Sequence, residues 1–337
     1  MIKLDSNENP FGPSPLAVEA MQAVLADCGS YPDDDASALR RKLAELHRVN
    51  IEQILVSGGL TEFLGMLART FLADGLNAVT SERSFMVYRL ATHAANAQVI
   101  EVPMRQHSFD LSAIASAVNK NTRMVFLANP NNPTGTVVTA DEVGCLLDEI
   151  PEHVVVVLDE AYYEFAADFA TRRGVRYSRS LDYVREGRNV VVLRTFSKVH
   201  GLAGVRVGYG IAPAKLMARL SRQRAMYCVS NLAQAAALAA LEDEAHIRKS
   251  IENNADQSEQ LIPALSKLGY TVTPPWANFL YCELGRDATR FAEQLQHEGI
   301  AVRALELWGA PQAIRITIGT PGQNDALLRA LRKVKNF

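Results

Sequence analysis

Apolar and polar positions follow two alternating rhythms along most of the chain. Short, nearly continuous apolar runs occur at residues 54–57, 77–80, 98–102, 124–128, 154–158 and 190–193, with a further run at 205–211. Runs of this length, rich in Val and Ile, predict strands, and Val154–Leu158 predicts one buried on both faces. Between them, apolar residues recur every three or four positions. That spacing predicts helices at 15–26, 36–49, 60–72, 111–118 and 139–149, and another starting near Ser84. Ser14 caps the first of these, with Pro15 in its first turn; Leu39, Leu43 and Leu46 share a face of the second. Residues 172–188 are polar and predict a loop. Further on, helices are expected at 213–222 and across 231–268, followed by strands at 279–283, 300–302 and 314–318, a helix at 288–297 and a last helix ending near Val334. Together these elements describe an α/β chain whose C-terminal part is a smaller α/β unit.

Composition narrows the picture by exclusion. The chain has 337 residues, enough for two domains, and a formal net charge of -2, so it carries no basic footprint for nucleic acid or an anionic membrane. Cys28, Cys145, Cys228 and Cys282 are widely separated, so neither a zinc ribbon nor a disulfide framework is expected. The seven histidines are scattered, and no metal site is expected. The first ten residues lack a signal-peptide apolar core, and no apolar run approaches the ~20 residues of a membrane span. A reducing cytoplasm is the expected setting.

Four stretches carry chemistry. Thr195-Phe-Ser-Lys-Val-His-Gly-Leu-Ala-Gly-Val-Arg-Val-Gly-Tyr209 follows a buried strand. A lysine at the mouth of a sheet, desolvated and near cations, can become an imine-forming amine. Gly58-Gly-Leu-Thr-Glu62 opens a helix, where free backbone N–H groups bind phosphate and glycine permits close approach. Asn129-Pro-Asn-Asn-Pro-Thr-Gly135 is a rigid turn at a strand's C-terminal end, where ligands sit in open α/β sheets. Asp159, in Asp-Glu-Ala-Tyr162, ends a buried strand, and a carboxylate there is costly unless paired.

Taken in chain order, these motifs resemble those of fold type I pyridoxal-phosphate aminotransferases, and the resemblance spans nearly the whole sequence. The stretch Leu4-Asp-Ser-Asn-Glu-Asn-Pro-Phe-Gly-Pro-Ser-Pro15 is similar to the N-terminal signature of histidinol-phosphate aminotransferases. The resemblance implies a large domain with a mixed, mostly parallel sheet flanked by helices, and a smaller C-terminal domain. It implies that Lys198 carries pyridoxal 5'-phosphate covalently. Arg206, Ser197 and the amides of Leu60 and Thr61 then hold the phosphate. Phe85 lies on the pyridine ring, Asp159 pairs with the ring nitrogen, and Asn132 and Tyr162 meet the phenolic oxygen. Tyr31, in Tyr-Pro, reaches the phosphate of the neighbouring subunit in a homodimer. Two departures stand out. Leu60-Thr61 replaces a more common Ala-Asp or Ser-Asp, and Arg83 stands where the family often has Pro.

In the C-terminal part, Arg315 is a lone charge in an apolar strand, and arginine suits a carboxylate or phosphate. With Arg303 and Asn278, in Ala-Asn-Phe, it forms the expected substrate set, with Trp308 lying between the two arginines in sequence. The expected division is an arm and small-domain segment over 1–30, a large cofactor-binding domain over 31–225, and a small domain over 226–337. Family members usually carry a longer arm before Leu4, which bears on dimer stability. The expected reaction is transamination between histidinol phosphate and 2-oxoglutarate in histidine biosynthesis. Aromatic amino acid aminotransferases and threonine-phosphate decarboxylases share the cofactor residues and stay open as alternatives. A binding protein on an inactive scaffold is disfavoured by the intact Lys198, Asp159 and Arg206. A nicotinamide dehydrogenase is disfavoured because no G-x-G-x-x-G follows a strand.

Overall fold

The apolar runs of the first two-thirds of the chain meet in one sheet. In the computed structural model, which describes residues 1–334, a two-residue strand β1 (Ile2–Lys3) comes first. It is followed by β2 (Ile54–Ser57), β3 (Asn77–Ser81), β4 (Gln98–Val102), β5 (Thr122–Ala128), β6 (Val155–Asp159), β7 (Val190–Thr195) and β8 (Gly208–Ile211). The last seven lie side by side in the order β2-β8-β7-β6-β5-β3-β4. Every ladder from β7 to β4 is parallel, and β8 runs against both its neighbours. The sheet is therefore mixed and mostly parallel, as expected. Every residue of β6 is buried, because helices cover both faces of such a sheet.

A second sheet is built from β9 (Thr271–Thr273) and β10 (Phe279–Glu283). After β11 (Ile300–Ala301) come its other members, β12 (Arg303–Leu305) and β13 (Ala310–Thr317). Its order is β12-β13-β10-β9, all antiparallel, while β1 pairs in parallel with β11. The N-terminal segment thus begins in the smaller unit, and Leu4 belongs to the smaller hydrophobic core with Leu261, Phe291 and Ile316. The larger core surrounds the main sheet and takes in Ala233, Ala236, Ala237 and Ala240 of the Ala-rich helix Asn231–Glu242.

Several expected elements differ in detail. The first helix is Pro15–Ala23, capped by Ser14 as expected, and a 3-10 helix over Leu25–Gly29 replaces its last turn. In the helix Ser37–His47, Leu39 and Leu43 are buried but Leu46 is exposed. The last turn turns His47 inward instead, where its Nε2 meets the Tyr209 hydroxyl at 2.9 Å. The polar stretch 172–188 contains a short helix, Ser180–Arg185, held by the buried Tyr183 and Val184. Tyr183 donates to the Ala140 carbonyl at 3.0 Å, so two anchors within polar surroundings sufficed. Only Gly208–Ile211 of the run 205–211 is strand. The stretch 231–268 is two helices parted at Asp243, whose side chain caps the second, Glu244–Lys267.

Candidate active site

The C-terminal ends of β5, β6 and β7 lie level, with Ala128 beside Asp159 and Asp159 beside Leu193. The chemistry-bearing stretches leave the sheet from this edge. They surround a cavity of 410 Å³ lined by residues of both units.

The turn after β5 uses two of its three asparagines to hold itself and the neighbouring loops in place. Asn129 exchanges hydrogen bonds with Val138 at 2.9 and 3.0 Å, and Asn131 donates to Thr134 at 2.8 Å. Asn132 is left to face the cavity. Its Oδ1 accepts from Nη1 of Arg315 at 2.5 Å, which leaves its amide N–H groups as donors toward a ligand.

The lysine loop is folded by its own backbone and by the N-terminal segment. Gly201 N–H donates to the Lys198 carbonyl and Leu202 N–H to that of Phe196, both at 3.0 Å. Gly201 adopts φ +71°, and a Cβ there would collide with the Gly12 carbonyl, so only glycine lets the two segments touch. The Lys198 amine donates to the carbonyls of Asn7 at 3.1 Å and Ser6 at 3.4 Å. Burial lowers its pKa from 10.5 to about 7, helped by the cations Arg315 and Arg206. Near neutral pH much of this amine is an unprotonated nucleophile.

Asp159 faces the cavity from the end of β6. Its Oδ2 accepts from the Tyr88 hydroxyl at 2.8 Å and its Oδ1 from the Ala161 N–H at 3.2 Å. Burial raises its pKa to about 6, against the pull of these two donors. A carboxylate so enclosed is completed by a cationic partner from the cavity side.

An anion cradle forms the other wall. Leu60 and Thr61 open the helix Leu60–Phe71 after Gly59, so their N–H groups have no partner within the helix. Gly59 has φ +96° and lies against the guanidinium of Arg206. Arg206, itself at φ +62°, donates to the Ala203 carbonyl at 2.8 Å. Ser197 lines the same corner, its N–H on the Thr195 hydroxyl at 3.1 Å.

The remaining expected residues fall as follows. Phe85 and Tyr162 line the cavity. Tyr162 accepts from the Asn7 amide at 2.9 Å. Arg315 is buried, with Nη2 on the Asp5 carbonyl at 2.7 Å and no partner for Nε. Arg303 also lines the cavity and approaches the Asp5 carboxylate at 3.4 Å. Asn278 stands one layer back and donates to the Asn7 carbonyl at 3.1 Å, the same carbonyl that accepts from Lys198. Tyr31 is outside the cavity of its own chain; it is 81% exposed and stacks on Tyr227 with ring centroids 4.5 Å apart.

Three contributors escaped the sequence reading. Tyr88 reads as an ordinary helix-face residue, and only its hydroxyl contact reveals it. Thr195 precedes the Ser-Lys pair without a motif of its own. The carbonyls of Ser6 and Asn7 are backbone groups and leave no trace in side-chain identity.

The donor set fits pyridoxal 5'-phosphate on this geometry. It offers an amine near neutrality, a buried carboxylate facing the cavity, and a helix start with Arg206 and Ser197 for a phosphate. A fold with this site at the edge of its main sheet defines a cofactor-dependent transferase. The chain belongs to the class I and II aminotransferase family, whose model matches residues 1–331. It is 43% identical over 334 residues to histidinol-phosphate aminotransferase 2 of Pseudomonas fluorescens, covering 99% of this chain and 89% of that one. It is 42% identical over 335 residues to histidinol-phosphate aminotransferase of Moorella thermoacetica, covering 99% and 85%. Among solved structures, histidinol-phosphate aminotransferase from Sinorhizobium meliloti in complex with pyridoxal-5'-phosphate superposes with a TM-score of 0.92 at 27% identity, covering 99% and 90%.

Proposed function

We propose that this chain is a pyridoxal-phosphate-dependent aminotransferase that moves the amino group of histidinol phosphate to 2-oxoglutarate. The observation that carries the substrate reading is the pair Arg303 and Arg315 on one cavity with Lys198. They are cations beyond those that a cofactor phosphate engages. Histidinol phosphate offers a phosphate and glutamate offers two carboxylates, so both use the pair. A phosphate, with three acceptor oxygens and nearly two charges, can engage both arginines at once, whereas an aromatic amino acid brings one singly charged carboxylate.

The bound cofactor supplies the carbonyl carbon that takes up the amino group and an electron-accepting ring. Lys198 holds it and, once released, takes the proton from the substrate α-carbon on Nζ. A pKa of about 7 suits an amine that must both accept and return that proton. Asp159 keeps a protonated ring nitrogen paired. The amides of Leu60 and Thr61, with Ser197 and Arg206, would hold the phosphate. Phe85 would lie beside the ring, Asn132 and Tyr162 would serve its phenolic oxygen, and Asn278 would position the substrate end through Asn7.

The two cores support a division into a larger cofactor-holding domain and a smaller one, with the helix Asn231–Glu242 on the larger side. A homodimer is supported by the exposed Leu25, Tyr31 and Met226, from which Tyr31 would complete the neighbour's phosphate site. A cytoplasmic setting is supported by four free cysteines, two of them exposed. Among the described residues, no helix is long and apolar enough to cross a membrane.

The test is a half-reaction panel on the cofactor-loaded protein with histidinol phosphate, glutamate, phenylalanine and threonine phosphate. Fast bleaching of the cofactor absorbance by the first two, and slow bleaching by phenylalanine, is expected. Fast turnover of phenylalanine with none of histidinol phosphate would replace the reading with an aromatic aminotransferase. Carbon dioxide release from threonine phosphate would replace it with a decarboxylase.

A further inference from the structure

Tyr88 lies in the helix Met86–Ala94, 1% exposed, and uses its whole side chain. One ring face stacks on Phe126 with centroids 4.8 Å apart and planes 5° apart. Phe85 meets it edge to face, with centroids at 5.6 Å and an interplanar angle of 86°. Its hydroxyl donates to Asp159 Oδ2 at 2.8 Å. Phe126 is a core residue of β5, so the tyrosine is anchored on the sheet that also carries Asp159. One rigid ring therefore braces the aromatic wall of the cavity and supplies the side-chain donor to the carboxylate.

We propose that Tyr88 is a positioning residue, which holds Asp159 ionised and aimed into the cavity while bracing Phe85 beside the cofactor ring. This rests on the pyridoxal-phosphate reading of the cavity. The physical ground is an asymmetry. A phenol hydroxyl hydrogen-bonds a carboxylate as donor, which favours the charged form. Burial disfavours that form, and without the hydroxyl Oδ2 would keep no hydrogen-bond donor. The other groups facing Asp159 are Glu160 and Tyr162, which follow it in the chain, and Lys198 from the lysine loop. Glu160 disfavours the charge and Lys198 favours it. Glu160 is itself paired with Arg194 at 2.8 Å, so Tyr88 and the Ala161 N–H carry the hydrogen bonding.

The experiment uses the full chain freed of cofactor and titrated with pyridoxamine 5'-phosphate between pH 5 and 8. This probe forms no bond to Lys198, so its equilibrium affinity reports the ring and phosphate contacts. In the wild type, affinity should weaken as pH falls through about 6, where both Asp159 and the probe's own phosphate take up protons, so the comparison with Asp159→Asn isolates the part due to Asp159. In Tyr88→Phe the midpoint should move up by about one to two pH units, the size of a lost hydrogen bond to a charged group. In an Asp159→Asn background the same change should alter affinity less than about twofold, since its partner is gone. Placing 3-fluorotyrosine at position 88 keeps the contacts and strengthens the donor, so the midpoint should move down. This second variant decides the matter if Tyr88→Phe does not fold. A Tyr88→Phe titration that overlays the wild type would overturn the proposal. So would a loss equal at every pH that persists beside Asp159→Asn, because that is packing alone. Failure of borohydride to fix pyridoxal phosphate on Lys198 in the wild type would sink the cofactor reading itself, a result separate from either.

Discussion

A Cβ on Gly59 would stand 2.5 Å from Nη2 of Arg206. The two residues come from opposite ends of the large unit's sequence, yet the antiparallel pair β2–β8 brings them together. Gly59 precedes the helix Leu60–Phe71, and Arg206 precedes β8. The proposed cradle for a phosphate is thus closed by an absent side chain on one side and a guanidinium on the other.

Replacing Gly59 with Ala should open that cradle. The substitution forces φ +96° on an L residue and pushes Arg206 away. Strain of this kind costs about 1–3 kcal/mol. Cofactor affinity, read by equilibrium titration, should therefore fall by roughly tenfold to a hundredfold. Unchanged affinity would show that no phosphate sits at this helix start.

The lowered pKa of Lys198 has a direct chemical reading. In the cofactor-free protein its reaction with an amine-directed acylating reagent should rise through about pH 7, whereas an ordinary lysine stays mostly protonated until about pH 10. The sign also applies to folding. A lysine whose folded pKa is below its unfolded value is protonated more readily in the unfolded chain, so its contribution to stability grows as pH rises from about 7. Peptide mapping of the labelled protein measures the first effect. A Lys198 labelling rate that climbs only near pH 10 would contradict it.

Shared sites can be tested by mixing subunits. Tyr31→Ala and Lys198→Ala each remove one component from every site of a uniform dimer. Random pairing makes half the dimers mixed, and each mixed dimer carries one intact site. Activity should return to about a quarter of wild type after unfolding and refolding the mixture, as a two-fold symmetric arrangement requires. No recovery from a mixture shown to contain mixed dimers would remove Tyr31 from the neighbour's site.

Glu160 and Arg194 form a buried ion pair directly behind the site. Nε and Nη2 of Arg194 reach Oε2 of Glu160 at 3.1 and 2.8 Å, and its guanidinium stacks over Tyr163 at 3.4 Å. Removing one partner strands the other charge, which costs about 3–5 kcal/mol. Glu160→Ala should therefore lower the thermal midpoint of the cofactor-free protein by many degrees, as calorimetry would show. Glu160→Gln, which keeps a hydrogen-bond acceptor, should lower it less. Equal midpoints for Glu160→Ala and wild type would show that water replaces the carboxylate.

Much of this protein is decided locally, and the sequence alone determined those parts. Continuous apolar runs favour buried strands, which is why β2, β5, β6 and β7 were legible to within a residue or two. Ser14 and Asn129-Pro-Asn-Asn-Pro-Thr-Gly135 carry their geometry in their own side chains and backbone limits. The motifs around Lys198, Asp159 and Arg206 were legible by resemblance, and the fold brings these residues to one cavity. Other features depend on contacts between distant segments. Leu46 fits an apolar stripe, but the packed face of the helix buries His47 instead and leaves Leu46 exposed. Tyr88 became more than a core residue only when its helix placed the hydroxyl 2.8 Å from Asp159. Asn278 shares a motif with substrate ligands, yet the close approach of Asn7 sets it behind that residue's carbonyl. The lowered pKa of Lys198 likewise arises from burial and from Arg315, more than a hundred residues away in the chain. Periodicity encodes what each segment prefers by itself; burial and long-range charge arise only when segments meet.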